Sequence, residues 1–190
     1  MPSSDPTNEH ETSPTPSIES EYVLPSSDVV AMPDATPSVR VIDRAVAFRL
    51  EGQLYGLPID VVREIQQLAE LLPLPDDDPA LVGLIELRGT VVPVLDLRIL
   101  VGLPEVSYSL ETPMVFCTAG TYQVCLIVDS VEDVVDLPPD GIRPPSTVYT
   151  LADRMLGTVR LEQGVLILLD IDRLVPSAAL ALADEQETGV

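Results

Sequence analysis

Few residues in this chain carry reactive side chains, and most of those are carboxylates. Asp60, Asp96, Asp129 and Asp170 each close an apolar stretch. A convergent pair of them would suit metal binding or acid-base attack on a glycosidic bond. The same position, just after a strand, suits turn capping equally well, and capping is the reading adopted here. The one histidine, His10, sits in a polar stretch near the start. There is no lysine, and Cys117 and Cys125 do not form a Cys-x-x-Cys pair. The usual general base, Schiff-base amine and structural zinc site are therefore missing. Asp76-Asp77-Asp78 lacks the spaced ligands that complete a calcium loop and reads as a solvated acidic turn. No GxxxxGK[ST] phosphate loop occurs. No catalytic residue, metal or cofactor is expected, and both thiols are expected to be free and buried.

Whatever positions these residues must come from a chain of 190 residues that is 46% hydrophobic and has a formal net charge of −21. All ten basic residues are arginine, against 31 acids. That field repels phosphate backbones and anionic lipid heads, so nucleic acid is excluded as a partner. No apolar run is long enough to span a bilayer, and the start lacks the basic and apolar segments of a secretion signal. Direct membrane insertion is not expected, and a cytoplasmic location is. Residues 1–38 are rich in Ser, Pro, Thr and acid, and read as a disordered tail.

From residue 39 the apolar pattern becomes dense. Four hairpins are expected: Ala45 to Leu50 with Gln53 to Ile59, Gly83 to Leu87 with Val91 to Leu97, Met114 to Thr118 with Tyr122 to Val128, and Gly157 to Leu161 with Val165 to Ile171. Each is punctuated by a Gly-containing turn. A short helical turn is expected from Asp60, with Val61, Val62 and Ile65 on its apolar face. Leu71 to Pro75 reads as an extended edge, and Pro93 favours an edge or bulged position for its strand. A C-terminal helix is expected in residues 177–190.

The hairpins repeat. YGLPIDVVREI at 55–65 overlays VCLIVDSVEDV at 124–134, placing Asp60 on Asp129, Val62 on Val131 and Glu64 on Asp133. GLIELRGTVVPVLDL at 83–97 overlays GTVRLEQGVLILLDI at 157–171, placing Gly83 on Gly157, Leu95 on Leu169 and Asp96 on Asp170. Two similar small β-barrels packed together explain the repeat, since closure and mutual burial protect strand edges.

Five stretches carry a resemblance: AFRLEGQLYGLPIDVVREI at 47–65, LPLP at 72–75, GLIELRGTVVPVLDLRILVGL at 83–103, LIVDSVEDVVDLPP at 126–139 and LGTVRLEQGVLILLDIDRLV at 156–175. In order and spacing the chain resembles the CheW-like domain of chemotaxis coupling proteins. The resemblance implies a mainly β fold of two packed SH3-like five-stranded barrels with short helices, over residues 39–176. It implies a non-catalytic scaffold joining the cytoplasmic tips of chemoreceptors to the regulatory domain of a histidine kinase. Val62, Glu64, Arg88 and Gly89 match positions the family uses for partner contact. Glu86 stands where the family usually has asparagine. Two other classes compete: a general assembly module in another sensory or motility system, and a carboxylate enzyme or small-ligand binder. Internal pairing of Arg88 with Glu86 or Glu64 competes with its partner-facing role.

Overall fold

The structure is a computed structural model and describes residues 41–74, 78–147 and 150–187. The expected tail, its His10, and Asp76 and Asp77 of the acidic turn lie outside the described residues. Ten strands form in order: β1 Arg44–Leu50, β2 Gln53–Pro58, β3 Val62–Gln67, β4 Leu81–Leu87, β5 Thr90–Asp96, β6 Pro113–Ala119, β7 Tyr122–Ile127, β8 Ser130–Asp136, β9 Met155–Leu161 and β10 Gly164–Leu169. Three α-helices join them: α1 Leu97–Leu100, α2 Ile171–Leu174 and α3 Ser177–Glu187. The four hairpins pair antiparallel as β1-β2, β4-β5, β6-β7 and β9-β10.

The helical turn expected from Asp60 stops after one 3-10 turn, Ile59–Val61. Val62 and the residues after it instead pair antiparallel with β6. The β-branched Val61-Val62 pair favours the extended backbone, and the ladder with β6 supplies the hydrogen bonds a helix would have made.

Strand order is β8-β1-β2-β10-β9 in one sheet and β3-β6-β7-β5-β4 in the other. Exchange each of β1–β5 for its repeat equivalent in β6–β10 and one order becomes the other. Each sheet thus combines the first hairpin of one half with the third strand and last hairpin of the other. The seams β2-β10 and β5-β7 are parallel. The chain passes between sheets at Ile59–Val61 and again around Asp129, the positions that the repeat placed on each other.

The expectation of two SH3-like barrels is not met. Among the described residues, β8 and β9 remain the ends of one open sheet, and β3 and β4 the ends of the other. Each final hairpin is covered instead by a single bridge, Leu72 on Leu84 and Arg143 on Thr158. Both members of each bridge exchange backbone hydrogen bonds, at 2.8 Å each for Leu72 with Leu84 and 2.8 and 2.9 Å for Arg143 with Thr158. Pro73 and Pro144 follow the bridging residues. With no N–H to donate, a proline cannot extend the ladder, so neither bridge grows into a closing strand.

Gly83 and Gly157 let the covering segments in. A Cβ on Gly83 would lie 2.7 Å from the Leu72 carbonyl oxygen, and one on Gly157 would overlap the Arg143 carbonyl. Pro93 sits in an interior strand, not at an edge. Its partner on β4, Leu84, spends its backbone groups on Leu72, so the Pro93 nitrogen faces away from β4. The parallel ladder with β7 begins only at Val94, and no donor is missed.

The central core joins Phe48, Leu50 and Leu57 to Leu95, Val115, Leu126 and Leu169, and so takes side chains from both sheets. Each sheet also encloses a smaller cluster, around Leu54, Leu166 and Leu168 in one and around Met114, Phe116 and Val94 in the other. Cys117 and Cys125 lie on adjacent strands, opposite Val124 and Phe116 respectively. Cys117 belongs to the central core and Cys125 to the cluster inside one sheet. They are free and buried, and burial pushes the Cys117 thiol up to about 12. Helix α3 packs on β5 and β7 through Ala179 and Ala183.

Two predictions follow from this packing. Gly83→Ala and Gly157→Ala should each lower the unfolding free energy in urea by about 1 to 3 kcal/mol, because the added methyl group meets backbone. Unchanged stability would mean that the covering segments are free to move aside. Leu95→Asp and Leu169→Asp, at fully buried positions, should each cost several kcal/mol by burying an unpaired carboxylate. Near-neutral unfolding for either would place that side chain outside the core.

Candidate functional site

Three of the four repeat aspartates, Asp96, Asp129 and Asp170, hold local structure. Asp96, fully buried, accepts the Arg98 backbone N–H at 2.7 Å and so caps α1. Asp170 does the same for α2, accepting from the Asp172 N–H at 3.2 Å. Asp129 accepts from the Glu51 N–H at 2.8 Å and from Arg98 Nη1 at 2.7 Å, and Asp60 is exposed on its 3-10 turn. Asp96 is fully buried whereas Asp60 is exposed, so the two do not meet in one enclosed pocket. Among the described residues no group of three metal-ligating side chains converges.

Of the four residues expected to meet a partner, Arg88 and Gly89 form the two-residue turn between β4 and β5. Their φ angles are +54° and +85°. This left-handed pair matches the twist of the flanking strands, and glycine adopts it freely. Arginine does not, at a cost on the order of 1 kcal/mol. The turn aims a side chain that is 80% exposed from a fixed base.

Glu64 is on edge strand β3, where a register shift after Val62 sets it opposite Phe116 of β6. Arg88 Nη2 donates to Glu64 Oε2 at 2.7 Å. The pair spans from the turn after β4 to β3, the two ends of one sheet, so side chains cross where the backbone does not close. Glu86, the other candidate partner, lies along a different groove beside Glu70 and Leu72.

Val62 is half-buried and packs on the central core, beneath the surface its neighbours present. The shallow cavity around the ion pair, about 220 Å³, is lined by Arg63, Glu64, Leu87, Arg88, Thr90 and Gln123. Its lining is mostly polar. The structure therefore brings Glu64, Arg88 and Gly89 together, with Val62 underneath.

The sequence reading overlooked Gln123, which β7 brings to the same cavity, and it set Ile65 on the apolar face of a helical turn, whereas on β3 that side chain is exposed beside Glu64. An isoleucine in the polar run VREIQQ was the available signal. It also overlooked the buried Arg98, whose Nε donates to the Pro104 carbonyl at 2.9 Å. Tyr108, donating to Asp96 at 2.5 Å, completes that network. Burial, then the hydrogen bond and charge of Asp96, push the Tyr108 phenol well up from its ordinary value.

The model of the CheW-like domain matches residues 44–179. The chain is 35% identical over 139 residues to the chemotaxis protein CheW of Klebsiella aerogenes, covering 72% of this chain and 84% of that one. It is 28% identical over 120 residues to the chemotaxis protein CheW of Bacillus subtilis, covering 60% and 77%. Among solved structures, the scaffolding protein TtCheW from Thermoanaerobacter tengcongensis superposes with a TM-score of 0.67 at 26% identity, covering 73% of this chain and 96% of that one. The matched span takes in all ten strands and both helix-capping aspartates, and this chain belongs to the CheW-like domain family.

Proposed function

We infer that this chain is a non-catalytic chemotaxis-type coupling protein, linking the cytoplasmic tips of chemoreceptors to the regulatory domain of a CheA-type histidine kinase. The observation that carries this reading is the family match, which runs through both interleaved sheets. Three of the four aspartates that an enzyme reading would need, Asp96, Asp170 and Asp129, are used as helix caps and a turn acceptor. No helix among the described residues is long and apolar enough to cross a membrane. A cytoplasmic place beside receptor arrays belongs to the same proposal.

Partner contact is proposed at Glu64, Arg88 and Gly89, with Val62 setting β3 from beneath. An arginine on a rigid turn offers a planar donor fork and loses little backbone entropy when a carboxylate or carbonyl docks. Glu64 holds that fork in one direction before the partner arrives. Because the pair is exposed and screened by water, its own contribution to folding is about 0 to 1 kcal/mol. The left-handed backbone at Arg88 opposes folding by a similar amount. A residue that gives the fold so little is well suited to serve a partner instead.

Arg88→Ala and Arg88→Gly separate the two roles. Arg88→Ala should change unfolding free energy by less than about 1 kcal/mol, and Arg88→Gly should leave it unchanged or raise it by up to about 1 kcal/mol by relieving the turn. Both should lower affinity for the kinase regulatory domain or for receptor tips at least tenfold, about 1.4 kcal/mol, in calorimetric titrations. Unchanged affinity for both partners would remove Arg88 from the interface. Affinity and stability falling together would make its role structural.

A further inference from the structure

Arginines are scarce in this chain, and most of the described ones are engaged. Arg49 meets Glu132, Arg63 meets Thr118, Arg98 meets Asp129, Arg154 meets the Leu100 carbonyl and Arg173 meets Asp170. Among the described residues Arg44, Arg143 and Arg160 have no side-chain hydrogen bond or ion pair, although the chain carries 31 acids, and the last two stand together. Both are exposed, and both line one shallow cavity of about 330 Å³ together with Gly141, Thr158 and Val165. This cavity lies on the sheet that ends in β9. The Arg88 turn belongs to the other sheet.

The internal repeat supplies a control for what the fold itself requires here. On β4, the equivalent edge, Leu72 makes the covering bridge that Arg143 makes on β9, and Glu86 takes the place of Arg160. That groove is lined by Glu70, Leu72 and Glu86, so it is acidic and apolar where its counterpart is basic. The same bridge therefore forms without either arginine. Packing and bridging explain neither guanidinium, and two unpaired cations side by side repel one another.

We propose that the Arg143-Arg160 cavity is a docking surface for an acidic segment of a partner protein, a stretch with two or more carboxylates among apolar residues. Charge complementarity selects the carboxylates: the planar guanidinium fork matches their geometry. Val165, 41% exposed beside Arg160 across the β9-β10 ladder, selects a peptide over a free anion, because it offers apolar contact to the residues between the acids. Both arginines are pre-positioned. The Arg143 backbone is fixed by its two hydrogen bonds to Thr158, and Arg160 stands within β9 opposite Val165. The net charge of −21 repels acidic partners at a distance, but at physiological salt this field fades within about 8 Å. Recognition is then local and salt-sensitive.

The test uses the full chain and a fluorescein-labelled peptide of alternating glutamate and leucine, with the glutamine-leucine peptide as control. Anisotropy should report saturable binding of the glutamate peptide alone, weakening at least about tenfold when NaCl is raised from about 0.05 to about 0.3 M. Arg143→Gln combined with Arg160→Gln should weaken binding at least about tenfold with an unchanged thermal midpoint. Arg160→Gln alone, on the exposed strand face, should weaken it by a smaller factor and guards against misfolding of the double variant. Glu86→Gln in the counterpart groove should change it less than about twofold. Absence of saturable binding, equal binding of the two peptides, equal binding by the double variant, or displacement by equimolar inorganic phosphate would each overturn the proposal. Loss of coupling to kinase or receptor is read separately, so failure here leaves that reading intact.

Discussion

The structure depends on an exchange: each half of the repeat supplies the third strand and last hairpin of the sheet begun by the other. β3 completes one edge on β6, and β8 completes the equivalent edge on β1. Neither half can satisfy its backbone alone, because the parallel seams β2-β10 and β5-β7 also join strands of different halves. The central core has the same dependence, since it is lined from both sheets and holds Leu95 and Leu169 from the two equivalent hairpins. Separating the halves would expose that core and strip hydrogen bonds from every seam at once.

Open sheets follow from this exchange, and so does the candidate site. With β3 lent to one end of a sheet and β4 left at the other, two edges face each other unpaired. Backbone coverage at β4 is limited to one bridge by the proline after Leu72, and the Arg88-Glu64 ion pair then links the ends through side chains. A contact of this kind leaves polar groups at the surface, with Ile65 exposed nearby. The sister edge is built on the same plan, yet carries Arg143 and Arg160. One duplicated architecture thus presents two differently charged edges.

Much of this was legible in the chain. The four hairpins could be read because apolar runs and turn residues are local signals: Glu51-Gly52 and Arg88-Gly89 mark left-handed two-residue turns, and largely buried apolar strands lie on either side. The overlay of Asp96 on Asp170 correctly paired two residues with the same capping task. The exchange was not legible, because a repeated sequence looks the same whether its halves pair within themselves or across. Strands β3 and β8 were hidden for another reason. VREIQQ and SVEDVVD are half-exposed edge strands whose polar residues break the alternation. At the site, Arg88 and Glu64 were both found, but choosing Glu64 over Glu86 required knowing that β3 returns to the β4-β5 turn. Arg98 and Tyr108 gave no signal, since their network depends on how the linker between the halves folds back.

The central claim is that two interleaved sheets form one cooperative unit, and native-state hydrogen exchange followed by NMR across β1, β2, β6 and β7 tests it most directly. The account predicts that the slowest amides of both sheets share one opening free energy, equal to that of global unfolding. One sheet opening at a free energy lower by about 2 kcal/mol or more, while the other stays protected, would contradict it.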